Sequence, residues 1–187
     1  MSVPTHVQDL ATACIASVKT TLGVELDYGH ETLPLLDHYA REHVEAAADE
    51  ILQLVAPMTG AYFGEVVRRQ VQAARWHAPP DAYPDWRLEM EQVFLCFNPI
   101  GIALEVISSA DTEGWSSHLR TRKSDEVLVK HATQLFGDVR EDDYYTFSIR
   151  FETIEQVFEG LSRQIEKGKE PFFGTQDYAR EIGKELN

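Results

Sequence analysis

Hydrophobic residues in the first third of the chain recur with the spacing of an amphipathic α-helix. Over residues 5–22 they lie three or four positions apart, and Gly23 follows as a typical helix stop. A second stripe starts near Thr32 and continues for five turns through Leu36, Tyr39, Ala40, His43, Ala47, Ile51 and Leu54. Pro57 stops or kinks this helix, and a third stripe contains Met58, Tyr62, Val66, Val67 and Val71. The spacing therefore predicts three helices within residues 1–72.

The hydrophobic period changes in the middle of the chain. Residues 73–85 contain three prolines, which cannot continue a helix because proline lacks a backbone N–H and restricts the residue before it. Residues 86–97 first alternate between apolar and polar positions and then become apolar on both faces, which predicts a strand. Residues 98–101 are typical of a turn, and the alternation resumes beyond them at Ile102, Leu104 and Val106. The whole pattern predicts a β-hairpin.

The last third of the chain shows both kinds of spacing. A short helix is predicted from its capping residue Ser124 to Gly137. Period-two alternation predicts a further strand with Tyr145, Phe147, Ile149 and Phe151 on one face. Thr153 and Gln156 have the spacing of a capping box, so we expect a helix to start there. A final helix is predicted after Thr175.

The predicted order of elements is three helices, a hairpin, a helix, a strand and two helices. The strands are too few and too close together for a doubly wound parallel sheet. The sequence therefore predicts a single α+β domain over residues 1–187, in which a small, mainly antiparallel sheet is packed by helices. Residues 1–72 form its helical part, and residues 73–187 supply the hairpin, the strand and the C-terminal helices.

Composition and charge exclude several classes of protein. The chain of 187 residues has 17 basic and 31 acidic side chains, a net charge of −14, and 43% hydrophobic residues, which is typical of a soluble globular domain. Nucleic acid is a poor partner, because phosphate binding needs a local excess of Lys and Arg. No apolar run approaches the roughly 20 residues of a membrane span, and no export signal is recognisable.

The two cysteines agree with a reducing compartment. Cys14 and Cys96 lie among apolar neighbours, where a thiol behaves as a small hydrophobic group. Two cysteines are too few for a disulfide framework or a zinc site. Since cytosolic proteins keep their thiols reduced, we expect a cytoplasmic location.

Signatures of catalysis are missing from the sequence. It contains no nucleophile elbow, dinucleotide-binding glycine motif, phosphate loop or zinc-protease helix. We therefore predict no catalytic residue and no cofactor. One helix face, made of His38, Glu42, Glu45 and Asp49, has oxygen and nitrogen ligands that a metal ion could use. A single helix supplies at most half of a coordination shell, so we interpret this face as solvated and predict no metal site.

Acidic residues are concentrated in two regions. Residues 1–67 contain ten acidic and two basic side chains. The second region consists of Asp138, Glu141, Asp142 and Asp143, followed directly by Tyr144 and Tyr145. Carboxylates steer a basic partner, and tyrosine rings supply contact area. The predicted partner-binding residues are Asp138, Glu141, Asp142, Asp143, Tyr144, Tyr145, Glu42, Glu45 and Asp49. Simple solvation of a loop accounts for the same residues without any partner.

Two glycines and three tryptophans in the middle of the chain are best explained by packing. Gly60 and Gly64 lie four apart on the third predicted helix. Glycine costs about 1 kcal/mol in a helix interior, so we expect a neighbouring element to approach closely there. The tryptophans could line a ligand cleft, but such large aromatic groups usually anchor a core; they are Trp76, Trp86 and Trp115.

The segment Gly60-Ala61-Tyr62-Phe63-Gly64-Glu65 is similar to a motif in a loose group of uncharacterised bacterial domains. These domains have a Gly-x-Tyr-x-Gly-Glu helix, and some resemble immunity or other small accessory proteins encoded beside secreted toxins. The similarity covers about residues 33–110 and transfers no functional residues. It implies a protein-binding role in bacteria.

These observations favour a non-catalytic acidic protein-binding module. Its most concrete form is an immunity-type inhibitor that blocks a basic toxin or effector. The first alternative is an enzyme or small-ligand-binding domain with a cleft that carries no known signature, and its candidate residues are His77 and the face of His38 and Glu42. The second alternative is a structural or regulatory subunit with a permanent, more apolar interface.

Overall fold

The computed structural model describes residues 2–42, 51–71, 73–127, 129–130, 141–165 and 169–185. In chain order its helices and strands are α1 (Thr5–Leu22), α2 (Leu33–Glu42), α3 (Ala56–Gln70), β1 (Ala74–His77), β2 (Arg87–Met90), β3 (Leu95–Phe97), α4 (Pro99–Ser108), β4 (Arg120–Thr121), α5 (Glu141–Tyr144), α6 (Phe147–Ser162) and α7 (Thr175–Glu185). The predicted α+β class is confirmed. No helix within these ranges combines the length and apolar character that a membrane span requires.

The four strands form one antiparallel sheet in the order β1-β2-β3-β4. Strand residues point alternately to opposite faces. The inner face joins the main core through residues such as Leu88 and Phe97, which are paired across β2 and β3. The outer face carries Arg75, Glu89 and Cys96, and α7 covers part of it through a second, smaller apolar cluster.

Two central helices form the middle of the main core. In α3 every residue from Ala56 to Val67 is buried, and in α4 every residue from Pro99 to Ile107 is buried. A helix that is buried all round must be surrounded by other elements. Here α3 packs against both α1 and α4, while α2 and α6 pack against each other and against α4.

The two glycines of α3 allow the close approach that their spacing predicts. A Cβ atom at Gly60 would lie 2.7 Å from the Cα of Ile100 in α4, and one at Gly64 would overlap the ring of Trp76. Neither position therefore has room for a side chain. The absence of side chains therefore lets α4 and β1 pack directly on α3.

The predicted hairpin around residues 98–101 is wrong. Those residues begin α4, because Asn98 caps the helix by accepting hydrogen bonds from two backbone N–H groups, and Pro99 occupies the first turn, where its missing N–H is harmless. The apolar alternation at residues 102–106 does not indicate a strand, because this helix is buried on all sides and apolar residues occur on every face of it. Strand β2 instead pairs with β3 on one side and on the other with β1, a strand that the sequence reading missed.

The predicted strand over residues 145–151 is also wrong. Helix α6 begins at Phe147, and the hydroxyl of Thr146 caps it by accepting from the backbone N–H of Ile149. Thr153 lies inside this helix and donates its hydroxyl proton to the carbonyl of Ile149, so it forms no capping box. The apolar residues of 147–161 also have helical spacing, which the shorter alternating pattern obscured.

Other predicted boundaries have mixed outcomes. Helix α1 ends at Gly23, whose left-handed conformation closes it, and α7 starts at Thr175, both as predicted. A short π-helix, Ile51–Val55, ends just before α3, and Pro57 lies in the first turn of α3, so the helix type changes near the proline as expected. Ser124 lies within a short 3-10 turn instead of capping a helix. The central part of the second predicted helix, residues 43–50, and the end of the helix predicted to Gly137 lie outside the described residues.

Candidate protein-binding surface

The predicted partner-binding residues fall into three groups. Side chains are described for Asp143, Tyr144 and Tyr145, which lie together just before α6. The backbone alone is described for Glu42, Glu141 and Asp142, and the positions outside the described residues are Glu45, Asp49 and Asp138.

Helix α2 contacts the start of α6 through Asp37. The carboxylate of Asp37 accepts hydrogen bonds from the backbone N–H of Phe147, at 2.6 Å, and from the hydroxyl of Ser148, also at 2.6 Å. A carboxylate at a helix N-terminus is favourable because it meets unpaired N–H groups and the positive end of the helix dipole. Glu42 lies five residues further along α2, about 7.5 Å of helix rise from Asp37.

Tyr145 connects this region to the loop that follows α4. Its hydroxyl donates to the Asp111 carboxylate over 3.1 Å. Partial burial and the hydrogen bond to Asp111 both raise the pKa of Tyr145 above its ordinary value. Asp111 is exposed and was missed by sequence reasoning, because nothing in a loop 34 residues away indicates that it meets Tyr145.

Tyr144 is held from beneath by Arg150 of α6. The guanidinium lies over the tyrosine ring at 4.0 Å from its centroid, and its Nη1 donates to the tyrosine hydroxyl over 2.8 Å. Tyr144 nevertheless remains 38% exposed. The rings of Tyr144 and Tyr145 meet edge to face, with centroids 5.2 Å apart. Both rings therefore have defined positions at the surface.

A buried carboxylate fixes the position of Arg150. Its Nη2 donates to Glu105 of α4 over 2.6 Å, and Glu105 is fully buried. The hydroxyl of Ser117 donates to the other carboxylate oxygen. Breaking a buried ion pair from one side typically costs about 3–5 kcal/mol, because the remaining charge is left without a partner. The arginine beneath the tyrosines is therefore firmly held.

These contacts define a surface made of Asp111, Asp143, Tyr144 and Tyr145, which we call the acidic tyrosine surface. Two aromatic rings lie at its centre, and exposed carboxylates lie beside them. Aromatic anchors next to charged groups are typical of protein-binding sites. Because the rings are already held by Arg150, they lose little conformational freedom when a partner binds.

Among the alternative ligand residues of the sequence, side chains are described for His38 and His77. His38 is exposed on α2, and the rest of its predicted face has no described side chains. His77 lies half-buried on β1, where burial and then the charge of Arg87 lower its pKa. Within the described ranges, no three His, Cys, Asp or Glu side chains converge as a metal ion would require.

The Gly-x-Tyr-x-Gly-Glu segment has a packing role. The Glu65 carboxylate accepts hydrogen bonds of 2.7 Å from Trp76 Nε1 and from Arg68 Nε. Burial opposes its charge, but the hydrogen bonds from Arg68 and Trp76 keep the pKa of Glu65 below its ordinary value. The hydroxyl of Tyr62 accepts from the backbone N–H of Tyr28 over 2.9 Å. The segment joins α3 to β1 and to the loop before α2.

Comparisons of the chain with protein-family models, with curated proteins and with solved structures found no significant match.

Proposed function

We propose that this protein is a non-catalytic binding module and that its acidic tyrosine surface binds a basic protein. The observation that carries the proposal is the fixed, partly exposed position of Tyr144 above the buried Glu105–Arg150 pair. Burying the Glu105–Arg150 pair costs desolvation free energy. Packing alone does not need such a pair, whereas the positioning of an aromatic anchor beside carboxylates accounts for it.

The expected complex follows from the chemistry of this surface. A standard interface covers about 800 Å² on each partner, so it extends well beyond the four residues. Tyrosines near the centre of an interface carry much of its binding energy. The net charge of −14 accelerates the encounter with a positively charged partner.

The finer form of the proposal is an immunity-type inhibitor that acts in the cytoplasm. In this role the acidic tyrosine surface covers the basic cleft of a toxin and keeps its substrate out. Support comes from the net charge of −14 and from the similarity of residues 60–65 to domains that include immunity-like proteins. A toxin that acts on nucleic acid has the basic cleft that such an inhibitor fits.

Capture and affinity measurements with charge-matched variants test the proposal. The tagged chain is used to capture proteins from a lysate of the cell that makes it, and a captured basic protein is then titrated with each variant. Asp143→Lys should slow association and weaken its salt dependence, because steering depends on such charges. Tyr144→Ala should weaken binding by about 2 kcal/mol or more.

Glu155→Lys is the matched control, because it makes the same charge change at an exposed position more than two turns from the start of α6. It should bind nearly as well as the unchanged chain. Equal binding by Asp143→Lys and Glu155→Lys would show that the partner contacts a different part of the molecule.

A further inference from the structure

The C-terminal segment, residues 169–183, is attached to the outer face of the sheet by few side chains. Tyr178 is its only buried residue, and every other position from 169 to 183 is exposed or partly buried. Tyr178 belongs with Phe94 and Cys96 to the smaller apolar cluster, which is separate from the main core. A segment with so few buried contacts can open while the rest of the molecule stays folded.

The backbone of this segment is bound in the way that a sheet binds an extended peptide. Residues 169–174 form neither helix nor strand. The N–H of Phe173 donates to the carbonyl of Glu91 over 2.8 Å, and the carbonyl of Phe173 accepts from Nη2 of the buried Arg75 over 2.7 Å. Main-chain hydrogen bonds supply affinity for an extended chain, and pockets for its side chains supply specificity.

Two aromatic side chains of the segment contact the same ring on the sheet. The ring of Phe173 meets Phe94 edge to face, with centroids 5.9 Å apart, and the guanidinium of Arg122 lies 4.5 Å from its centroid. The ring of Tyr178 stacks on Phe94, with centroids 4.4 Å apart. Phe94 therefore forms the common wall of two neighbouring aromatic sites.

The hydroxyl of Tyr178 is matched by backbone groups between β2 and β3. It donates to the carbonyl of Met90 over 2.6 Å and accepts from the N–H of Leu95 over 3.0 Å. The carbonyl of Val93 lies 3.1 Å from the same hydroxyl. A phenylalanine ring would leave the buried N–H of Leu95 without its side-chain acceptor, so this site favours tyrosine.

We propose that this part of the sheet is a peptide-binding groove and that residues 171–178 are an autoinhibitory strap that occupies it. The groove consists of the side chains of Arg75, Phe94 and Arg122 and the backbone of Glu91 and Leu95. The peptide that fits it has an aromatic residue in an extended part and a tyrosine five positions later, as the strap itself has. Because the strap belongs to the same chain, its effective concentration at the groove is high. The peptide therefore binds only the fraction of molecules in which the strap is open.

A synthetic peptide of residues 169–185, titrated by calorimetry against the whole chain and its variants, tests the proposal. Tyr178→Ala removes the main anchor of the strap, so this variant should bind the peptide at least about tenfold more tightly than the unchanged chain does. Gln176→Ala changes an exposed residue of the same helix and should bind the peptide no better than the unchanged chain. A peptide that carries Tyr178→Phe should bind at least about fivefold more weakly than the peptide with tyrosine.

The two cysteines report the opening of the strap without any peptide. Cys96 is buried beside Tyr178 in the smaller cluster, whereas Cys14 is buried in the main core. Tyr178→Ala should accelerate the alkylation of Cys96 by iodoacetamide by about tenfold or more and leave the rate at Cys14 unchanged. Saturating peptide should slow Cys96 again.

Tyr178→Phe keeps the proposal testable if Tyr178→Ala folds poorly, because it retains the ring and should cause the same changes to a smaller extent. The proposal is overturned if the peptide binds none of these proteins, or if it binds the unchanged chain and the Tyr178 variants equally. It is also overturned if both Tyr178 variants accelerate the two cysteines alike.

Discussion

At the scale of single residues, buried carboxylates with arginine partners recur through the fold. Glu65 receives Arg68, Glu89 receives Arg75 and Arg87, and Glu105 receives Arg150. The Arg75–Glu89 pair joins β1 to β2 and the Arg150–Glu105 pair joins α6 to α4, whereas Arg68 and Glu65 lie on the same helix. These acids are satisfied inside the protein, so they do not act as exposed charges on a surface.

The first prediction concerns Glu65 and pH. Because its pKa is lowered in the folded state, Glu65 adds stability that is present above its ordinary value of 4.5 and is lost as the pH falls through the folded-state value. Glu65→Gln should lower the free energy of unfolding by about 1–3 kcal/mol at pH 7. Urea denaturation at several pH values should show this difference shrinking below about pH 4.5.

The exposed Glu155 supplies the control for that measurement. Glu155→Gln should change the free energy of unfolding by less than about 0.5 kcal/mol at every pH. A Glu65→Gln deficit that is the same at pH 3 and pH 7 would contradict the role of the ionised carboxylate.

At the scale of elements, helix caps and tertiary contacts decide whether a segment with alternating apolar residues is a helix or a strand. Asn98 and Thr146 each cap a helix that alternating apolar residues had suggested to be a strand. Helix α7 depends on such contacts as well. The hydroxyl of its Tyr178 accepts from the backbone N–H of Leu95, at 3.0 Å, and donates to the carbonyl of Met90, at 2.6 Å.

The second prediction is that Tyr178→Phe loosens α7 from the sheet. Removing the hydroxyl leaves the N–H of Leu95 buried without its side-chain acceptor, which should cost about 1–3 kcal/mol. Amide hydrogen exchange should accelerate in α7 and β3 more than in the central helix α4. Tyr145→Phe removes a surface hydroxyl and should leave both rates unchanged; uniform acceleration throughout the chain would argue against a local role for Tyr178.

At the scale of the whole molecule, acidic side chains outnumber basic ones by 14. The net charge of −14 destabilises the compact state by self-repulsion. Several arginines form ion pairs with the buried carboxylates of Glu65, Glu89 and Glu105. Fewer basic side chains therefore remain to balance the acidic ones at the surface.

The third prediction is that salt stabilises the protein. Raising NaCl from 10 to 150 mM shortens the screening distance from about 30 to about 8 Å, so Tm should rise by a few degrees, on the order of 1 kcal/mol for a chain of this size. Calorimetry measures this directly. The double variant Glu152→Lys and Glu155→Lys, which brings the net charge to −10, should be more stable at low salt and respond less. A Tm that does not respond to salt in either protein would contradict the argument.

The sequence by itself determined the α+β class, the ends of α1, the close approach to α3 at its two glycines and the start of α7. These features depend on local causes: hydrophobic spacing, a glycine that closes a helix, and glycines that permit close packing. The sequence also places Tyr144 and Tyr145 directly after the carboxylate of Asp143. The helix ends and this cluster both depend only on residues that are neighbours in the chain.

Only the tertiary structure decided that residues 99–108 and 147–151 are helical, and which distant groups meet. An apolar run has no readable period when it is buried on every side, so α4 resembled a strand until its surroundings were known. The contact of Tyr145 with Asp111 and the support of Tyr144 by Arg150 and Glu105 join residues up to 45 positions apart. Spacing along the chain carries no record of such contacts, because they depend on how whole elements pack.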